Sequence, residues 1–174
     1  MYYGEIKTCD IANGIGVRVS LFVSGCKNCC KNCFNQMTWA FNYGKEFTNE
    51  TMLYLLANLN NNYIDGLTIL GGEPLEKENQ SEVLNIVKKV KEVFPNKSIW
   101  LYTGFTFEEI TSDTSCRANT PLIKDILTNI DVLVDGRFIE EEKDICLHFR
   151  GSRNQRIIDV KETLKNNKLT ILDI

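Results

Sequence analysis

Four cysteines, Cys26, Cys29, Cys30 and Cys33, fall within eight residues of this chain. A disulfide between any two of them would close a very small loop and remove little entropy from the unfolded chain. Thiolates grouped so closely point instead to a soft metal. Three parses are open. Structural zinc sites with four thiolates usually bring two Cys pairs separated by roughly 15 to 20 residues, whereas Cys29 and Cys30 are adjacent and four ligands on one tight loop would be crowded. A ferredoxin-type cluster would draw its fourth ligand from Cys9, Cys116 or Cys146, none of which has a partner at a recommending spacing. In the third parse Cys26, Cys30 and Cys33 hold three irons of a 4Fe-4S cluster and Cys29 stands aside. The fourth iron then keeps an open position, the feature that separates catalytic from structural metal centres.

The elements that must position this loop can be read from periodicity. Val17 to Val23 is a β-rich run that stops at Ser24-Gly25, so the cysteines follow directly on a first strand. Met52, Leu55, Leu56 and Leu59 recur at helical spacing after Thr48, an N-cap, and Asn58 and Asn60 to Asn62 end the pattern. Leu67 to Leu70 is a short apolar run closed by Gly71-Gly72-Glu73-Pro74, consistent with a buried parallel strand. Val83, Ile86, Val87, Val90 and Phe94 form a helical stripe that Pro95 stops. Ser98 to Tyr102 is a third strand, Leu122 to Ile130 a helix opened by Pro121, and Val132 to Val134 a fourth strand.

Such alternation implies right-handed βαβ units, an α/β fold with a parallel sheet under helices. A complete eight-fold barrel takes about 250 residues and seldom fewer than about 200. A chain of 174 residues is therefore expected to form one domain over 1–174, either an open sheet or an incomplete parallel β/α barrel. In both, ligands gather at the C-terminal ends of the strands. The cysteine loop, Gly71 to Pro74, Thr103-Gly104 and Asp135-Gly136 would all meet at that edge.

Composition narrows the partners. Twenty Lys and Arg against twenty-three Asp and Glu give a net charge of −3, without the basic footprint that nucleic-acid binding requires. Met1 to Asp10 lacks the pattern of a secretory signal, and the apolar stretch Val19 to Cys26 is far short of the roughly 18 to 20 residues that span a bilayer. Neither a nucleic acid nor a membrane is expected as a partner, and free thiols suit the reducing cytoplasm.

The three-Cys spacing, followed by Gly71-Gly72-Glu73-Pro74 after the second strand, resembles the radical S-adenosylmethionine superfamily, which is built on full or partial parallel β/α barrels. More of the chain is similar to one branch. Gly4-Glu5-Ile6, Asn13-Gly14-Ile15-Gly16-Val17-Arg18, Leu21 to Cys26, Tyr102-Thr103-Gly104-Phe105, Val132 to Phe138 and Arg150 to Ile157 resemble activating proteins of anaerobic ribonucleoside-triphosphate reductases. These segments reach from the N-terminus to about Ile158, and the tail from Arg150 to Arg156 is the family-specific part. The resemblance implies that Cys26, Cys30 and Cys33 are the cluster ligands. It also implies that backbone of Asn32, Cys33 and Phe34 lies near the adenosyl group of S-adenosylmethionine, and that Gly71, Gly72 and Glu73 receive its amino group. Many radical enzymes carry an aromatic residue just before the third cysteine; this chain has Asn32 there and Phe34 just after.

The activity implied is that of a glycyl-radical-generating activase. One electron, from a reductant such as flavodoxin, would cleave S-adenosylmethionine to methionine and a 5'-deoxyadenosyl radical, which takes a hydrogen atom from a glycine of the large reductase subunit. The cofactor carries the chemistry, and no acid–base residue is strictly required. Alternatives are the activase of another glycyl-radical enzyme of the pyruvate formate-lyase type, a small radical enzyme acting on a metabolite, and a non-catalytic iron–sulfur or zinc module. Beside these stand plainer readings. Cys9, Cys29, Cys116 and Cys146 are bystanders, and His148 is a loop or strand residue. Trp39 and Trp100 are core or rim packing, and Asp135 either contacts a substrate or makes a turn. Glu140 to Glu142 are a solvated face, with which Arg150, Arg153 and Arg156 either pair or leave free to dock a partner.

Overall fold

In a computed structural model describing residues 1–174, the chain is built on one seven-stranded sheet. The strands are β1 (Tyr2–Asp10), β2 (Arg18–Val23), β3 (Lys45–Glu46), β4 (Gly66–Gly71), β5 (Ser98–Tyr102), β6 (Val132–Asp135) and β7 (Arg156–Asp159). Their order is β3-β1-β2-β4-β5-β6-β7. The helices are α1 (Asn49–Leu59), α2 (Lys77–Val93), α3 (Phe107–Thr111), α4 (Ile123–Thr128) and α5 (Val160–Asn166). None is long and apolar enough to cross a membrane.

The four central strands, β2, β4, β5 and β6, are parallel, as the alternation of strand and helix predicts. The wholly parallel sheet expected from sequence is corrected at both edges. β1 pairs antiparallel with β2 and with β3, and β7 pairs antiparallel with β6. The reason lies in the connections. Parallel neighbours need a crossover, which α1, α2 and the pair α3 and α4 supply, whereas β1 reaches β2 through a turn at residues 11–17 and β7 follows β6 with only a single 3-10 turn, Glu140–Glu142, and no α-helix between.

Local signals explain the helices. Thr48 caps α1 through a reciprocal pair with Thr51, and α2 buries Val83, Ile86, Val87 and Val90 completely before Phe94 and Pro95 end it. Alternate strand residues face opposite sides of the sheet. Val19, Leu21, Leu67, Ile69, Ile99, Leu101 and Leu133 join the core shared with the helices. The other face carries Arg18, Thr68, Trp100, Tyr102 and Val134, and is covered by loop residues such as Phe149 and Leu172 instead of helices.

Arg18 is buried at the N-terminal edge of the parallel strands, 1% exposed. Its Nε donates to Thr68 Oγ1 at 2.6 Å, Nη1 to Ser98 Oγ at 2.9 Å and to the Ile15 carbonyl at 3.1 Å, and Nη2 to the carbonyls of Leu67 at 2.7 Å and Ser98 at 3.0 Å. Burial lowers its pKa to about 10, which still leaves it charged at neutral pH, and the guanidinium lies 5.5 Å from the centre of the Trp100 ring. One side chain thus ties β2, β4 and β5 together. Replacing it, Arg18→Met, leaves several buried acceptors without donors and is expected to cost about 3 kcal/mol or more of folding stability. Urea unfolding of the reduced apoprotein measures this; a midpoint within experimental error of the parent would contradict the assignment.

Candidate functional site

The cysteine loop begins where β2 ends and returns to its own start. The Gly25 N–H donates to the Thr38 carbonyl at 2.7 Å and the Cys26 N–H to the Trp39 carbonyl at 3.1 Å, which closes residues 26–38 into a lobe over the strand ends. Within it Cys29 and Asn32 adopt left-handed backbone, φ 48° and 56°, each immediately before one of the cysteines of the third parse. Asn tolerates that conformation better than most residues, which gives position 32 a conformational role where an aromatic was the common alternative. Phe34 is 99% exposed, as far from a core residue as a side chain can be.

The turn after β4 packs backbone to backbone against this lobe. The Gly72 N–H donates to the Val23 carbonyl at 2.8 Å and the Glu73 N–H to the Gly25 carbonyl at 2.9 Å. A Cβ at residue 72 would stand 2.8 Å from the Gly25 oxygen, and Gly71 holds φ +111°. Both positions therefore need glycine for the chain's own packing, in addition to any approach by a ligand. The Glu73 carbonyl is taken by Asn79 Nδ2 at 3.0 Å and the Glu76 N–H at 3.1 Å, whereas the Gly72 carbonyl accepts no hydrogen bond from the chain.

Cys26, Cys30 and Cys33 line one cavity of about 480 Å³ together with Asn32, Phe34, Gly71, Gly72 and Glu73. Thr103-Gly104 and Gly136 complete the wall, so the loops after β2, β4, β5 and β6 do converge. No three thiol, imidazole or carboxylate groups close on a point that would hold a single metal ion, and all seven cysteines are free thiols. Burial pushes the Cys26 thiol up to about 12, with Glu73, Glu76 and Cys30 adding to the effect. Burial and the neighbouring Cys33 also raise Cys30, against the backbone N–H of Phe138 and the charge of Arg137.

Glu73 is buried and occupied by its own chain. Oε1 accepts the Leu75 N–H at 2.9 Å and the Thr103 hydroxyl at 2.8 Å; Oε2 accepts the Gly104 N–H at 2.7 Å and Asn28 Nδ2 at 3.0 Å. Burial lifts its pKa to about 7, although these donors favour the charged form. Its side chain is a latch between loops, and the turn offers a ligand its backbone.

The remaining candidates separate cleanly. Asp135 is a structural acceptor, bonded to the Phe107 N–H at 2.7 Å and to Arg156 Nε at 3.0 Å. Arg156 also pairs with Glu108 and Arg153 with Asp144, so neither pairs with Glu140 to Glu142. Arg150 lines the cavity, and its buried Nε has no partner. The segment from Arg150 to Arg156 is a clasp. Gln155 Nε2 donates to the Gly136 carbonyl at 3.0 Å, Asn154 Nδ2 to the Arg137 carbonyl at 2.8 Å, and the Ile139 N–H to Ser152 Oγ at 3.2 Å. It holds residues 136–139 against the cysteine lobe.

Sequence reasoning missed several residues of the site. Trp39 and Tyr102 line the cavity, and the indole Nε1 and the phenolic oxygen are buried without partners. Tyr102 ends β5, and a strand's C-terminal end was the available signal; Trp39, beyond the cysteines, carried none. Asn28 and Arg117 also escaped notice, the latter lying in a loop outside every motif. Three thiols on one wall, an unbonded carbonyl on a glycine turn, and unpartnered indole, phenol and guanidinium groups on the others form a donor set that fits an iron–sulfur cluster beside a polar organic ligand.

A family described as a 4Fe-4S single cluster domain matches residues 12–158. The anaerobic ribonucleoside-triphosphate reductase-activating protein of Vibrio cholerae serotype O1 is 43% identical over 159 residues, which cover 90% of this chain and 97% of that protein. The protein of that name from Enterobacteria phage T4 is 41% identical over 157 residues, 90% of this chain and 93% of its own. The one from Escherichia coli strain K12 is 36% identical over 157 residues, covering 89% and 96%. Identity at that level along nearly the whole length of each relative places this chain in the family of anaerobic ribonucleoside-triphosphate reductase-activating proteins.

Proposed function

We propose that the chain activates an anaerobic ribonucleoside-triphosphate reductase as a radical S-adenosylmethionine enzyme. The single observation carrying the reading is that Cys26, Cys30, Cys33, Gly71 and Gly72 line one cavity. A 4Fe-4S cluster with S-adenosylmethionine supplies, when bound, one-electron cleavage of the sulfonium and a radical that takes a hydrogen atom from a glycine of the reductase. The protein's part is binding, orientation and exclusion of water.

Cys26, Cys30 and Cys33 hold three irons, and Cys29, exposed and turned by its left-handed backbone, is not a ligand. The free Gly72 carbonyl is the acceptor for the ligand's ammonium, with Gly71 and Glu73 shaping the turn. Backbone at Asn32 to Phe34 lies along the adenosyl part. The Trp39 N–H and Tyr102 O–H, lacking partners in the chain, donate to polar ligand atoms, and burial holds the Tyr102 hydroxyl well above the usual phenol range, so it stays a donor at neutral pH. Leu70, Trp39 and Phe138 keep water from the reacting atoms. Support for a partial barrel comes from the sheet's second face, where loops cover Trp100 and Val134 in place of further strands. Residues 1–174 are read as one domain because one sheet spans them from β3 to β7. The electron comes from a one-electron donor of the flavodoxin kind in the cytoplasm.

Three outcomes test this reading. Anaerobically reconstituted protein, reduced with dithionite and given S-adenosylmethionine, releases 5'-deoxyadenosine, and adding the reductase large subunit produces a glycyl radical in electron paramagnetic resonance. No 5'-deoxyadenosine would reduce the chain to a passive iron–sulfur module; 5'-deoxyadenosine without a glycyl radical would reassign its partner. Iron analysis of two variants separates the cysteines: Cys29→Ala keeps its iron and Cys30→Ala loses it, and equal contents would refute the three-thiol set. Thiols whose pKa is raised release their protons to solvent only as the metal binds, so iron loading of the apoprotein is expected to rise from about pH 6 to about pH 9. A loading curve flat in pH would oppose that assignment.

A further inference from the structure

The residues between the first two cysteines are gripped by a series of side chains, of which Glu76 and Arg117 belong to no motif. Glu76 is fully buried at the start of α2. Its Oε1 accepts the Lys27 N–H at 2.8 Å and Arg117 Nη2 at 2.9 Å, and its Oε2 accepts Arg117 Nε at 3.1 Å. Arg117 Nη2 also donates to Asn28 Oδ1 at 2.6 Å, and Asn28 passes the chain on to Glu73 through its Nδ2. Four side chains in series thus hold Lys27 and Asn28, the two residues that follow Cys26. The guanidinium is itself placed by the buried Phe105 ring, 4.6 Å from its centre.

The charges in this series are unequal. Glu73 and Glu76 are two buried carboxylates beside the cavity, and Arg117 is the cation bonded to Glu76. Lys27 sends its ammonium outward to Glu78 instead. A four-iron cluster on three thiolates is anionic, and its reduction adds one more negative charge. Net charge and nearby dipoles set such a cluster's potential, and an unpaired buried carboxylate next to it would oppose the electron.

We infer that Arg117 is a positioning residue for the cysteine loop, orienting Asn28 and neutralising Glu76 so that an electron can be accepted beside two buried acids. This rests on the cluster reading above and adds to it a residue from a loop outside every motif. The test is a redox titration of the anaerobically reconstituted full-length protein, followed by electron paramagnetic resonance, in four forms: parent, Arg117→Gln, Glu76→Gln and the double variant.

Arg117→Gln is expected to shift the midpoint potential to more negative values and Glu76→Gln to more positive ones. The double variant should return near the parent. Release of 5'-deoxyadenosine at a fixed, limiting reductant potential falls about tenfold in Arg117→Gln and recovers in the double variant. Shifts of opposite sign that cancel are not what a loss of folding produces. Should Arg117→Gln fail to load iron, Arg117→Lys keeps the charge without the two-pronged hydrogen bond, and its cluster should titrate with the parent's. Equal potentials in parent and Glu76→Gln, or a double variant no nearer the parent than Arg117→Gln, would overturn the inference while leaving the cluster reading intact. A parent protein that assembles no cluster would instead defeat both.

Discussion

The carboxylate of Glu73 sits where three strands deliver their loops, out of reach of bulk water. A carboxylate there is costly unless its oxygens are filled by donors, and the donors come from separate places: its own turn, the residues after β5, and the cysteine lobe. Satisfying one buried group therefore requires three loops to meet. That requirement gives the cavity its shape, because the cysteines, the glycine turn and the end of β5 cannot part without leaving an unsolvated charge. The neighbouring series through Asn28, Arg117 and Glu76 extends the same constraint into the lobe that bears the thiols.

The opposite edge of the sheet is secured by a buried ion of the other sign. Arg18, the first residue of β2, meets only neutral oxygens, from the beginnings of β4 and β5 and the turn before β2. The parallel strands are thus tied at both ends by polar groups that reach across them, with apolar packing between. Helices cover one face only. The other face, with Trp100 and Tyr102, runs up to the cavity beneath the loops that cover it.

Much of the central fold was legible in the residues. Buried parallel strands read as short apolar runs, and α1 and α2 announced themselves by a cap, a stripe and a stop, because those signals are local and repeat within a few residues. The edge strands were not legible. β1 is half exposed along its length and carries Gly4 and Lys7 among its apolar residues, which blurs the alternation, and β7 is four residues long. α3 has five residues, too few for a periodic stripe, and only the Thr106 and Glu109 capping pair marked it. The direction of β7 depends on the path of a loop that no local pattern encodes.

The site divides along the same line. Spacing offered the grouping of Cys26, Cys30 and Cys33 as one of three parses and the resemblance favoured it; the structure sets all three on one cavity with the Gly71-Gly72 turn. Arg117, Trp39 and Tyr102 came into view only with the tertiary structure, because their significance lies in what they touch or fail to touch. Asp135, read as a substrate contact or a turn, and Arg156, read as a docking residue or a partner of Glu140 to Glu142, became partners of each other once β6 and β7 were placed side by side. Residue identity determined the chemistry available to this chain. Which groups are spent on holding the fold, and which are left for a ligand, was decided by how distant segments satisfy each other's buried charges and hydrogen bonds, and that depends on contacts the linear order does not contain.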